Sequence, residues 1–201
     1  MTAKRGATRR PAAAVIAALS SALLTVFLVV GCGGDPPQPA AAPDRGGQAF
    51  NPVDVMFLQM MVPHHRQGIG IARLAKHRPV NREMRLLAEA VQATQRQEAR
   101  TMSGWLREWG KPASVPADAH AAHGGMPATD PGAIKAVAGT RDARFERAFL
   151  NLLIAHQDDA VQMARRELKH GHNPDVRRLA RQIERSRSAQ IRQMVGFLDR
   201  H

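Results

Sequence analysis

Cysteine is almost absent from this chain of 201 residues: one thiol, Cys32, stands beside nine methionines and nine histidines. A single thiol excludes an intramolecular disulfide and a multi-thiolate metal site. Aromatic residues are scarce as well, 4% of the sequence with two tryptophans and no tyrosine. That leaves little for bases to stack on and speaks against nucleic acid as a partner. Catalytic signatures are missing too. No Gly-x-Ser-x-Gly elbow, phosphate loop or dinucleotide fingerprint occurs, and His156 with Asp158 or Asp159 has no Ser or Cys to activate. The residues point away from an enzyme, and any site must be built from His, Met, carboxylates or amides.

What is present begins with a leader. Lys4, Arg5, Arg9 and Arg10 precede an apolar run from Ala12 to Val30, which ends in Val29-Val30-Gly31-Cys32. Small or branched residues before a Gly-Cys pair form a lipobox, so residues 1–31 read as a lipoprotein signal peptide. Cys32 is the expected acceptor of diacylglycerol and palmitate. A plain transmembrane anchor fits less well, because the cysteine stands at the expected boundary and Gly33-Gly34 with a Pro/Ala stretch follow. Arg9-Arg10 hint at twin-arginine export, but their flanks fit poorly. The expected location is the cell envelope, on the extracytoplasmic side of a membrane, with the lipid on Cys32 as the membrane contact. Removing the four leader cations from 29 Lys and Arg leaves 25 against 17 Asp and Glu, a net of +8. An anionic surface would attract that charge, although arginines on solvated helix faces account for it more simply.

Two Pro/Gly-rich stretches divide the remainder. Residues 32–49 read as a flexible tether and residues 111–140 as a linker. Between and after them lie two segments, 50–110 and 141–201, that match each other. Phe57-Leu58-Gln59-Met60-Met61-Val62-Pro63-His64 aligns with Phe149-Leu150-Asn151-Leu152-Leu153-Ile154-Ala155-His156, 92 residues on, and Met102-Ser103-Gly104-Trp105-Leu106 aligns with Met194-Val195-Gly196-Phe197-Leu198. Agreement at both ends at one spacing marks an internal duplication. Apolar residues in each copy recur at helical spacing, with breaks near Arg78-Pro79 and Gly171-His172-Asn173-Pro174. Each copy is therefore a hairpin of helices roughly 25 residues, or about 40 Å, long. The expected fold is all-α, a ferritin-like four-helix bundle built from two duplicated hairpins.

The buried stripe is interrupted by polar residues at matching places: His64, Gln95 and Glu98 in the first copy, His156, Arg187 and Gln190 in the second. Turns centred near residues 79–80 and 172–173 set His64 level with Gln95, Met60 and Met61 level with Glu98, and His156 level with Arg187 and Gln190. Buried polar groups need partners: each other, water or a metal. Met60 and Met163 share a helix face with His64 and His156, and Met102 and Met194 occupy equivalent places on the second helices. Imidazole with thioether and no thiolate suits a copper ion, whereas Glu98 with histidines suits zinc or iron. The candidate metal ligands are His64 and His156, then Met60, Met163, Glu98, His65, Met102 and Met194. Methionine as core filler and histidine in a hydrogen-bond network are the ordinary alternatives. A second candidate, His120, His123 and Met126, sits in the linker. Glu167 and His170 have the spacing of a di-iron ligand pair, but the first copy has Leu74 or Ala75 there, which disfavours such a centre.

Asp54-x-x-Phe57-x-x-x-Met61-x-x-His64-His65 and Gln95-x-x-Glu98-x-x-x-Met102 resemble the bacterial domain-of-unknown-function 305 family, over residues 50–110 and again over 141–200. The resemblance implies a ferritin-like helical fold, an envelope location and a link to metal handling, chiefly copper. Departures from its pattern are Ile71-Ala72 where Met-Ala is usual, Gln157 for the second histidine, Gln190 for Glu and Arg187 for Gln. Each half looks incomplete, which leaves one shared site or a decayed one, and Arg187 would repel a cation. The expected function is a membrane-tethered, non-enzymatic protein that binds a metal ion, with copper first, for buffering or delivery. The alternative is a structural or partner-binding lipoprotein with a buried polar layer.

Overall fold

In the computed structural model the described residues are 49–78, 80–113, 115–116, 119, 128–141 and 143–200. The leader, the lipobox with Cys32, most of the tether and the His120–His123–Met126 cluster lie outside them. Five helices form among the described residues and no strand does: α1 Pro52–Arg73, α2 Arg82–Glu108, α3 Pro131–Gly139, α4 Ala143–His170 and α5 Pro174–Leu198. The all-helical class expected from the periodicity is what the chain adopts.

Local chemistry explains most helix starts. Asn51 caps α1 by accepting from the Val53 and Asp54 N–H groups, and Asp54 accepts in return from the Asn51 N–H, a reciprocal box. Asn81 caps α2, Asp130 caps α3 and Asn173 caps α5. Proline follows the cap in α1, α3 and α5, where its missing N–H costs nothing. α3 is a departure from the sequence reading, which took residues 111–140 as linker. Its Asp-Pro start supplies a cap and a preset first turn, and Val137 is buried against the second half of the core.

α1 and α2 form one antiparallel hairpin and α4 and α5 the other, and the two meet mainly through α1 and α4. The apolar interior is in two pieces. One, around Phe57, Met60, Met61, Met102, Leu106, Met163 and Ile183, lies toward the α4–α5 turn. The other, around Ile71, Met84, Val91, Phe149, Leu153 and Met194, lies toward the α1–α2 turn. Each large aliphatic or aromatic side chain withdrawn from water there contributes about 1.5–3 kcal/mol. Between the two pieces, at mid-length of all four long helices, sits the polar layer. Among the described residues no helix is long and apolar enough to cross a membrane.

The α4–α5 turn is stitched to the start of α1. Asp54 is fully buried and accepts from the main-chain N–H of His172 at 3.1 Å and of Asn173 at 3.0 Å, while Asn51 Nδ2 donates to the His170 carbonyl. Glu167 is buried beside Asp54 and neither of its oxygens has a donor. Burial, reinforced by the neighbouring Asp54 carboxyl, pushes its pKa up to about 8. Two carboxylates have no proton between them to share; with Glu167 protonated its O–H can donate to Asp54. This placement takes Glu167 away from the di-iron role weighed for it with His170.

The folded chain thus holds a proton that the unfolded chain releases near the ordinary value of 4.5. The stability this contact supplies is complete below that pH and is lost as pH rises toward about 8. Glu167→Gln keeps a donor without the titration. The wild type should lose melting temperature between pH 5 and pH 8.5, and the variant should narrow that loss by roughly 2–4 °C. Identical pH profiles in differential scanning fluorimetry would show that Glu167 is not held protonated.

Candidate metal centre

Four helices deliver the layer. α1 brings His64 and His65, α2 brings Gln95 and Glu98, α4 brings His156 and Gln157, and α5 brings Arg187 and Gln190. The first seven are all at most 4% exposed. Helix periodicity explains the delivery: residues three or four apart on one helix share a face, so Gln95 and Glu98 point the same way, as do Arg187 and Gln190.

At the centre the His64 and His156 rings lie face to face, with centroids 3.9 Å apart and planes 9° apart. On one side His65 Nε2 is 2.7 Å from Glu98 Oε2, and the same oxygen accepts from the Arg187 guanidinium. On the other side only amides meet: Gln95 Nε2 donates to Gln157 Oε1 at 3.1 Å, and Gln157 Nε2 donates to Gln190 Oε1. The layer therefore has a charged flank and a neutral flank about a histidine pair. In the first hairpin the pairing is about one helical turn further along α1 than the sequence reading placed it: Gln95 lies against Gly68, four residues beyond His64. Glu98 consequently meets His65 and not Met60 or Met61.

Protonation follows from this burial. Burial, then the charges of His156, His65 and Arg187, hold His64 well below the usual histidine range. Burial with the same kind of repulsion from His65 and Arg187 brings His156 down to about 3. His65 is lowered by burial although Glu98 pulls the other way. Burial pushes Glu98 upward, but the His65 hydrogen bond and the Arg187 charge outweigh it and keep the carboxylate ionised. At neutral pH the central imidazoles are uncharged, the state in which they are metal ligands.

Several lone pairs are left over. Neither ring nitrogen of His64 has a hydrogen-bond partner of good geometry, nor do His156 Nε2, His65 Nδ1, Gln95 Oε1 and Glu98 Oε1. His156 Nδ1 is held at 2.9 Å by the Thr129 hydroxyl, and Thr129 is in turn gripped through its main chain by the Gln67 amide. Nε2 is the His156 ring nitrogen left without a partner. That Nε2 and Gln95 Oε1 converge on Gly68, one turn after His64: a Cβ there would lie inside 3.0 Å of both. A glycine inside a helix costs up to about 1 kcal/mol against alanine, and here it leaves room in front of two unpartnered donors.

The other residues singled out in the sequence are dispersed. Met60, Met102 and Met163 are in the apolar piece toward the α4–α5 turn, whereas Met194 is in the opposite piece. The four thioethers do not ring the histidines as one set, because the repeat-equivalent Met102 and Met194 fall on opposite sides of a pseudo-twofold layer, while Met60 and Met163, which are not equivalent, fall on the same side. Arg187, expected to repel a cation, is neutralised by Glu98. Gln95 as a donor, Gly68 and Thr129 were not identified from the sequence as parts of a site. The amide's place on the stripe was visible, but the glycine and threonine gave no signal of their own. Among the described residues no three His, Cys, Asp or Glu side chains converge as a metal site. The donor atoms that do converge are one imidazole nitrogen and an amide oxygen at Gly68, with the His64 ring stacked alongside.

The family model for the domain of unknown function 305 (DUF305) matches residues 54–198, which takes in the whole layer. The chain belongs to the DUF305 family. Among solved structures, a DUF305 fragment from Deinococcus radiodurans shares 32% identity, with a TM-score of 0.66, over 76% of this chain and 99% of that one. A DUF305 protein from Streptomyces coelicolor, inferred to be secreted, shares 27% over 74% and 93%, with a TM-score of 0.69. CopM in its Cu(II)-bound form shares 31% over 73% and 96%, with a TM-score of 0.64. CopM is also known in Cu(I)-bound and silver-bound forms. A protein of similar fold thus binds metal. No curated protein sequence matches this chain.

The charged flank makes a stability prediction. Glu98→Gln leaves the Arg187 guanidinium buried without a counter-charge and should cost about 3–5 kcal/mol in urea unfolding. Glu98→Gln combined with Arg187→Met should recover most of that. A single-variant loss below about 1 kcal/mol would mean that water reaches the pair.

Proposed function

We propose that this protein binds one copper ion at the mid-layer as a non-enzymatic carrier or buffer, tethered to the outer face of a membrane through Cys32. The observation that carries the reading is the convergence of unpartnered donors, His156 Nε2 and Gln95 Oε1 on the space at Gly68, with the His64 ring stacked against His156. The donor set fits the ion. Imidazole suits copper, and Cu(I) is satisfied by few donors, so two histidines and an amide oxygen suffice where zinc would ask for four. His64, His156 and Gln95 would hold the ion, and the Thr129 hydroxyl would orient His156. Met60 supports the site as an apolar neighbour one turn from His64. The copper-bound CopM structures and the inferred secretion of the Streptomyces coelicolor protein agree with this reading.

The low pKa values make binding insensitive to mild acid, since no proton competes for His156 until pH approaches about 3. Two variants test the site in the full chain purified in detergent. His64→Ala/His156→Ala should abolish the melting shift that Cu(I) gives the wild type, about 2.7 kcal/mol at a hundred-fold excess over Kd. Gly68→Ala should weaken binding at least ten-fold and also lower the melting temperature of the apo-protein, because its Cβ would lie inside 3.0 Å of the buried Gln95 amide and His156 ring. Unchanged copper affinity in both variants would reject the site and favour a purely structural polar layer.

A further inference from the structure

The duplication pairs Gln95 with Arg187, His156 with His64, Gly68 with Ala160, Gln157 with His65 and Gln190 with Glu98. On one flank a neutral amide, an unpartnered imidazole nitrogen and a missing Cβ leave a place for a cation. On the other flank the residue equivalent to that amide is a guanidinium, fully buried and bonded to Glu98. We propose that Arg187 is a built-in cation at Glu98 and His65, in the half of the layer related by the repeat to the Gly68 position, where Ala160 carries the Cβ that Gly68 lacks; this chain then takes one metal ion in the layer, and its charged flank would take a second only with the arginine gone.

Three observations support it beyond the symmetry. Glu98 has been withdrawn from water and must meet a positive partner inside the protein, a need that a metal ion or a guanidinium meets equally. Glu98 Oε1 and His65 Nδ1 remain unpartnered although both residues are buried, so the guanidinium uses only part of the donor capacity around it. Arg187 Nε is unpartnered too, its NH1 turning to the adjacent Ser186 hydroxyl at 3.0 Å. Carboxylate and imidazole are also the right donors for Cu(II) or Zn(II) once the arginine is gone. The inference rests on the layer being a metal site at all, as proposed above.

The test is Arg187→Gln, which restores the residue type of the equivalent position, compared with wild type and with Arg187→Lys. Each full-length chain is loaded with Zn(II) or Cu(II), desalted, and its bound metal counted by plasma mass spectrometry. Arg187→Gln should hold one ion more than wild type, Arg187→Lys the same number as wild type, and Arg187→Gln/Glu98→Gln should lose the extra ion. Should Arg187→Gln not fold alone, it should fold when Zn(II) is added, seen as a cooperative melt by circular dichroism. A folded Arg187→Gln with the wild-type count, or one that stays unfolded with metal while Arg187→Lys folds, overturns the proposal. The difference between variant and wild type reads this inference; a wild type that takes no copper at His64 and His156 instead defeats the functional reading, and the two failures are distinct.

Discussion

Glu98 carries a negative charge into the middle of a helical protein, and the layer is arranged around the need to neutralise it. A carboxylate withdrawn from water without compensation is far too costly for a domain whose net stability is on the order of 5–15 kcal/mol. Here His65 and Arg187 share one of its oxygens. Arg187 comes from the other copy of the repeat, so the pair also fixes how the two hairpins align along their axes. A slide of one hairpin by a single helical turn would separate the guanidinium from the carboxylate and bury both charges alone. Apolar contacts on either side tolerate small shifts; this pair does not.

That arrangement accounts for the state of the central histidines. The guanidinium and the surrounding apolar clusters both disfavour a second positive charge, so His64 and His156 are neutral and able to stack at 3.9 Å. Protonated rings would repel at that distance. Neutral imidazoles in turn leave lone pairs unpartnered, which weakens the apo-protein and favours whatever ligand can engage them. The two flanks thus differ in kind: the charged flank locks register, and the neutral flank holds the unpartnered donors.

The two copies have diverged in a complementary way. The first supplies the carboxylate, both histidines of the pair-motif and the glycine; the second supplies the arginine, two glutamines and one histidine. Neither copy alone has a balanced layer, since one would carry an uncompensated anion and the other an uncompensated cation. Thr129 adds a contribution from outside the repeats, reaching from just before α3 to hold Nδ1 of His156. A segment that looked like plain linker therefore takes part in the site.

The amino-acid sequence by itself determined the helical class, the duplicated hairpins, the depth of the polar layer and the membership of His64, Gln95, Glu98, His156 and Arg187 in it. Those features depend on periodicity and on a repeat, which are properties of a linear string. Only the tertiary structure decided which polar residue meets which. Glu98 pairs with His65, four residues beyond Met61, a register that no local pattern records. The membership of Met194 in the opposite half of the core, the burial of Glu167 against Asp54, the grip of Thr129 on His156 and the space at Gly68 all depend on contacts between residues from 27 to more than 110 apart, or on a side chain that is not there. Charge balance across the layer is likewise a property of two packed copies, and neither copy read alone contains it.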